Sequence, residues 1–189
     1  MFSVEWRIIL VIYEFENKKP LIGKETYIFN SADVIGDVTI GEKCLLYPGA
    51  RIRGDYGTVI IGDNTAIEEN VVIHARPGEV TTIGNHVTVG HGSIIHNATI
   101  QDWAIIGMGA IVSDWAEIGR WAVVAEGAVV KNKQYIPDRA IAVGVPATII
   151  SEISTDYEIT WTEFKRTYND LAQYRYPRSL KEIGREKLC

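Results

Sequence analysis

From Ile100 onward the chain places a large aliphatic residue at every sixth position: Ile100, Ile106, Val112, Ile118, Val124 and Val130. The position two before each following opener is small: Ala104, Ala110, Ala116, Ala122 and Ala128. A repeat this short predicts a parallel β-helix of three-sided coils, about 18 residues each, with the aliphatic and the small residue pointing inward. Earlier stretches keep the beat with slips. Ile35 to Ile40 is a step of five, Leu46 and Ile52 follow at six, and Ile61, Ile67, Ile73 and Ile83, Val89, Ile95 form two further runs. Residues 75–82 leave the beat where Arg76, Pro77 and Gly78 interrupt it, and such loops leave the prism at its corners, where function gathers.

The pattern divides the chain into residues 1–32, 33–150 and 151–189. The first holds two β-type segments, 6–15 and 26–29, expected to cap the first coil and hide its open edge. The second is the β-helix, closed by Gly144, Val145, Pro146 and Ala147. In the third the period changes. Trp161, Phe164, Tyr168, Leu171 and Ala172 recur at three and four, the mark of an amphipathic α-helix. Thr160 with Glu163 forms a capping box at its start, Pro177 is expected to end it, and Ser179 with Glu182 suggests a second short helix. Trp103 and Trp121, 18 residues apart, fall on one outward face of successive coils, with Trp115 on another side. The helix is expected to lie along the prism and cover the first two, the alternative being a contact between subunits.

Composition narrows the function classes. The chain has 189 residues, 47% hydrophobic, with a formal charge of −5, enough to bury a core in one domain. The acidic balance and the interleaving of Lys and Arg with Glu and Asp in residues 165–187 argue against nucleic acid. The apolar run 8–13 is too short to span a bilayer, and Glu5, Arg7 and Glu14 around it spoil a signal-peptide pattern, so no membrane role and a cytoplasmic location are expected. Cys44 occupies a small inward position and reads as core; Cys189, far from it, offers neither a disulfide nor a metal pair.

The chemistry rests on His74, His91 and His96. On the prism, the 17 residues between His74 and His91 are close to one coil, which predicts neighbouring rungs of one edge. The five between His91 and His96 are close to one side, which predicts different corners. One subunit therefore does not bring all three onto one ion, but two subunits packed around a threefold axis can, leaving a fourth position for water. The plain alternative is that each is an ordinary surface histidine, as His86 is taken to be.

Several motifs carry a resemblance: Arg53-Gly54-Asp55; Ile61-Gly62-Asp63-Asn64-Thr65; Val72-Ile73-His74; Val87-Thr88-Val89-Gly90-His91-Gly92; Ile95-His96; and Ile106-Gly107-Met108-Gly109-Ala110. Over roughly residues 32–150 the chain resembles the γ-class carbonic anhydrase family of left-handed β-helix trimers. The tail and the His74-Ala75-Arg76-Pro77-Gly78 loop resemble the branch that includes carnitine-operon and phenylacetate-degradation proteins. The resemblance implies an all-β, left-handed parallel β-helix of hexapeptide repeats with a C-terminal α-helix, assembled as a homotrimer. It implies that His74 and His96 of one chain and His91 of the next bind Zn²⁺, with Fe²⁺ or Co²⁺ as other candidate metals. Arg53 and Asp55 match an intersubunit ion pair. The implied reaction is reversible hydration of carbon dioxide to bicarbonate, for which zinc lowers the pKa of bound water to about 7.

Two departures bear on activity. Where the family commonly has Asn-x-Gln-Asp, this chain has Ala66, Ile67, Glu68 and Glu69. Glu68, in place of the glutamine that orients the water, is the candidate catalytic acid or base, or alternatively a fourth ligand that closes the site. The acidic proton-shuttle loop has no clear match: Tyr56 follows the Arg-x-Asp motif, Pro77 stands three past His74, and Glu79 is out of register. The runner-up function is a coenzyme-A-dependent acyltransferase or acyl-CoA thioesterase, which needs one histidine as general base. A third is a catalytically inert trimeric assembly subunit.

Overall fold

Each hexad supplies a strand of only two or three residues followed by a tight turn, so the chain winds instead of forming long strands. The computed structural model describes residues 11–183 and is a left-handed parallel β-helix of about seven turns with a C-terminal helix. The residue 6–10 part of the expected first segment, residues 184–189 and with them Cys189 lie outside the described residues. Val11–Tyr13 pairs in parallel with the start of the strand Asp33–Ile40, and Leu21–Ile22 and Tyr27–Ile28 stack in register on the next coil.

The prism has three faces. The first carries residues 33–36 and 51–54 of the two long strands, then Val72–His74, Ile94–His96, Ile111–Val112 and Val129–Val130. The second carries the far ends of the long strands Asp33–Ile40 and Arg51–Ile61, then Val80–Ile83, Thr99–Ile100, Glu117–Ile118 and Tyr135–Ile136. The third runs from Tyr27–Ile28 through Leu45–Leu46, Ala66–Ile67, Thr88–Val89, Ile105–Ile106 and Val123–Val124 to Ala140–Val143, closed by the antiparallel strand Thr148–Glu152.

The inward column is fully buried, from Ile40, Leu46 and Ile52 to Val124 and Val130, with Cys44, Ala50, Ala104 and Ala110 among the small partners. One expected slip disappears. Val34, not Ile35, faces the core, and Val34, Ile40, Leu46 and Ile52 run at an unbroken six, while Ile35 sits on the outer surface in register with Arg53.

Real departures from the period gather at one place. Register partners on the first face, Asp33, Arg51, Val72, Ile94, Ile111 and Val129, are 18, 21, 22, 17 and 18 residues apart. From the first face to the second the same coils take 6, 9, 10, 5 and 6 residues (Asp33 to Thr39, Arg51 to Ile60, Val72 to Thr82, Ile94 to Thr99, Ile111 to Glu117). The other two corners keep six. Every extra or missing residue therefore sits on the edge between the first and second faces.

The turns also explain the tryptophans. The edge between the second and third faces places Lys43, Asn64, His86, Trp103, Trp121 and Arg139 in left-handed backbone, φ 56° to 64°, a conformation that is uncommon outside glycine and asparagine. His86 stacks on Trp103 at 4.2 Å between ring centroids and Trp103 on Trp121 at 4.7 Å. Stacking thus gives these rings a column of their own, and Trp115 stands on another edge, as expected.

The C-terminal helix, α1 (Thr155–Asp170), starts earlier than the Thr160 capping box predicts. Ser154 is the cap: its side chain accepts the Tyr157 N–H at 3.1 Å, and Asp156 and Glu158 favour the positive end of the first turn. Pro177 does not end the helical path. A wider π turn, Leu171–Arg175, leads into the short helix α2 (Tyr176–Ser179), where proline occupies a first-turn position that needs no N–H. Residues 180–183 are not helical, so the second helix expected from Ser179 and Glu182 does not form there. The helix packs on the third face of its own prism, where Leu45, Tyr47 and Ala172 are buried with Tyr27, Phe29, Tyr168 and Tyr176 around them. Phe164 of the predicted stripe stays exposed, whereas Lys165 is buried. Among the described residues no helix is long and apolar enough to cross a membrane.

Candidate metal centre

The irregular edge collects His74, His96, Asp55, Asp114, Arg53 and Arg76. Strands Val72–His74 and Ile94–His96 end on their histidines, which lie opposite each other in parallel register, as do Arg53 and His74. This corrects the spacing argument that put His74 and His91 on one edge. The coil after His74 carries four extra residues, so a full turn ends at His96, 22 positions on, and not at His91.

The side chains form one continuous line. Arg53 Nη1 donates to Asp55 Oδ2 at 2.5 Å; Asp55 Oδ1 lies 2.9 Å from His74 Nε2; His74 Nδ1 lies 3.3 Å from His96 Nε2. Then His96 Nδ1 lies 2.5 Å from Asp114 Oδ1, and Arg76 Nη1 donates to Asp114 Oδ2 at 2.9 Å. Burial pushes the Asp55 carboxyl up, but hydrogen bonds from His74 and Arg53 and the Arg53 charge outweigh it and hold it below its ordinary value. Asp114 behaves the same way, with burial overcome by His96 and Arg76. Both carboxylates are ionised at neutral pH and can only accept. His74 Nε2 and His96 Nδ1 therefore donate to them. That leaves His74 Nδ1 and His96 Nε2 facing each other across 3.3 Å, a gap that a shared proton or a metal cation fills.

His91 is elsewhere, on the edge between the third and first faces, half-exposed. Its Nδ1 lies 2.6 Å from Glu69 Oε2 and its Nε2 3.0 Å from Glu68 Oε2, which also accepts the His91 backbone N–H at 3.1 Å. Glu68 is buried, and its other oxygen accepts the Tyr168 hydroxyl at 2.5 Å. Burial, then the hydrogen bond to Glu68, raises the Tyr168 phenol well above its ordinary range. Glu68 thus travels with His91 and not with His74 and His96 of its own chain. Among the described residues no three His, Cys, Asp or Glu side chains of one chain converge as a metal-ligand set.

Three residues of this network carried little sequence signal. Asp114 lies one residue past the position that the 17-residue coil from Ile94 to Ile111 sets opposite His96, a relation visible only once the register is known. Arg76 belongs to the interrupting loop. Tyr168 comes from α1, 100 residues from Glu68, and nothing local announces it. Beside it, Lys165 Nζ donates to Val87 O at 2.8 Å and Thr88 Oγ1 at 3.0 Å, and burial pushes its pKa down to about 7.

No family model matches the chain. Among curated relatives, the mitochondrial γ carbonic anhydrase 1 of Arabidopsis thaliana is 34% identical over 175 residues, 89% of this chain and 63% of that one. The chain spans 63% and 59% of the lengths of the two plant relatives it matches. The carbonic anhydrase of Geobacillus kaustophilus is 35% identical over 87% of this chain and 90% of that protein. The carnitine operon protein CaiE of Citrobacter koseri is 36% identical over 85% and 81%. Among solved structures, a Bacillus cereus protein provisionally described as an acetyltransferase superposes with a TM-score of 0.84 at 33% identity, over 87% of this chain and 95% of that one. With the coil register, the motifs and these identities together, the chain belongs to the γ-class carbonic anhydrase family of hexapeptide-repeat proteins.

Proposed function

We propose that the chain is a homotrimeric metalloenzyme that hydrates carbon dioxide reversibly to bicarbonate, with His74 and His96 of one subunit and His91 of the next holding zinc. The observation that carries this reading is the pair of ring nitrogens facing each other 3.3 Å apart, with the opposite nitrogen of each ring donating to a carboxylate. Two nitrogen ligands at ordinary zinc distances on a tetrahedral ion lie about 3.3 to 3.4 Å apart, so the donor set fits. Carboxylates behind ligating histidines fix tautomer and ring plane, and Asp55 and Asp114 do this for His74 and His96.

A third ligand from a neighbour agrees with the surface. Val72, Ile94 and Ile111 stand in register on the outside of the first face, 40%, 41% and 36% exposed. This apolar stripe runs between the edge with His74 and His96 and the edge with His91. A head-to-tail contact across it closes into a ring after three copies, brings His91 to the neighbour's pair and buries the stripe.

When bound, zinc polarises water toward the hydroxide that hydration requires. His91 brings Glu68 with it, so the Glu68 carboxylate, held by Tyr168 at one oxygen, presents the other as a proton acceptor at the shared site. The second reading, a coenzyme-A-dependent acyltransferase or acyl-CoA thioesterase, draws on the Bacillus cereus structure. Against it stands a pair of facing histidines each backed by an aspartate, an arrangement that a single general base does not require. The test is sedimentation and metal analysis of the purified protein, then stopped-flow hydration of carbon dioxide after zinc loading. A zinc-loaded trimer with hydration activity is expected; a metal-free monomer that turns over acyl-CoA would replace the reading.

A further inference from the structure

We propose that Arg76 is a positioning residue for this centre, acting through Asp114 to fix the ring of His96. The inference rests on the metal-site reading above. Its basis is a symmetry the sequence does not display: each histidine of the pair has its own aspartate, and each aspartate its own arginine. Arg53 and Asp55 serve His74; Arg76 and Asp114 serve His96.

The chain departs from its repeat to build both halves. The longer step between Arg51 and Ile60 accommodates Asp55, and the ten-residue step from Val72 to Thr82 carries Arg76. The two excursions are interlocked. Gly78 N donates to Tyr56 O at 3.1 Å and Thr58 N to Glu79 O at 2.9 Å, while a Cβ on Gly57 would fall 2.3 Å from Arg76 O. The Arg76 backbone N–H is itself bound to Asn97 Oδ1 at 3.3 Å, one residue past His96.

The guanidinium is held twice. Besides Asp114 it lies over the Trp115 ring, 5.2 Å from the centroid, with Lys133 Nζ also 5.5 Å from that ring. This gives a reason for tryptophan at position 115, whose backbone is left-handed at φ 57° and whose side chain is 40% exposed. A planar guanidinium that bonds a carboxylate and stacks on an indole is a task for arginine and not for lysine. Left alone, Asp114 could rotate about its side chain; tied to Arg76 it presents Oδ1 to His96 Nδ1 in one orientation.

The test uses the full-length protein, with zinc affinity read by competition against a chromogenic chelator. Removing the carboxylate behind a ligating histidine typically weakens metal binding 10- to 100-fold, and Arg76 acts through that carboxylate, so the low end of the range applies. Arg76→Ala is expected to weaken zinc about tenfold and to shift the visible spectrum of the cobalt-loaded protein, with Arg76→Lys recovering only part of both. Melting temperature should hold, since the side chain is about half exposed. A parallel measurement needs no metal: nitrogen-15 NMR of the metal-free protein should show His96 protonated at Nδ1 in the wild type and a mixture of tautomers in Arg76→Ala. Equal zinc affinity, cobalt spectrum and tautomer in wild type and Arg76→Ala would overturn the proposal. A raised KM for bicarbonate with zinc affinity unchanged would overturn it as well, by making Arg76 a substrate contact. Wild-type protein that binds no zinc, yet shows the tautomer change, would remove the metal reading and leave Arg76 as the residue that positions His96.

Discussion

Lys165 makes the stability of this fold depend on alkaline pH in a direction most proteins do not show. Its ammonium is buried between α1 and the third face, bonded to Val87 O and Thr88 Oγ1, with Cys44, Glu68, His86 and Tyr168 the titratable groups around it. Burial lowers its pKa from 10.5 to about 7, the attraction of Cys44 and Glu68 being too weak to compensate. The sign follows. Between these values the unfolded chain holds a proton that the folded chain has released, so stability rises with pH across the window, and below about 7 the full cost of a buried charge is present. At about 1.4 kcal/mol per pH unit for one proton, Lys165 alone should add roughly 2.5 kcal/mol from pH 7.5 to 9.5, opposed near the top of that range by Cys44, whose thiol burial pushes up from 9.0 to about 11. The tyrosines with raised pKa values, Tyr168 among them, act only above about pH 10, where ionisation withdraws the stability they contribute. Urea unfolding at fixed protein concentration across this range, for wild type and Lys165→Met, isolates the group: the wild-type curve should rise and the variant's should be flatter by that amount. Parallel curves would refute a buried, depressed lysine.

Three further outcomes are expected. His74→Ala, His91→Ala and His96→Ala should each lower zinc content together with hydration, because two imidazoles do not hold the ion with an open position; full metal content in any of them, by atomic absorption, removes that residue from the ligand set. Glu68→Gln should keep its zinc while changing turnover and its pH profile, as a proton acceptor would, whereas loss of zinc would make Glu68 a ligand of a closed site. Ile94→Asp places a charge in the middle of the apolar stripe and should convert trimer to monomer by sedimentation, with zinc lost as well; a trimer that survives would move the interface to another face.

The repeat was legible because the prism interior tolerates one kind of residue at each position. An inward strand site has room for Ile, Val or Leu, and the site two before it usually holds a smaller residue, most often alanine, with Cys44, a valine, a serine or a threonine on other coils, so period and core could be read off without knowing the handedness. Val34 escaped because two adjacent aliphatics, Val34 and Ile35, leave the choice of inward side chain to the register of the neighbouring strand. The helix start escaped for a related reason. Thr160 and Glu163 satisfy the capping pattern locally, but Arg139, which reaches Ile153 O and the Glu158 carboxylate, ties the chain down earlier and makes Ser154 the first free cap. The histidines were visible as a set, and their edge was not, since counting residues assumes coils of constant length. That assumption fails only on the edge between the first and second faces. A solenoid has no structural need to lengthen one corner by three residues, then four, then shorten it by one, because each change interrupts the ladder it must resume on the next coil. What those residues supply is a pair of arginine-backed aspartates set behind two facing imidazoles. The broken repeat is therefore the more specific signal of the site, and the histidine spacing acquires meaning only after the breaks are counted.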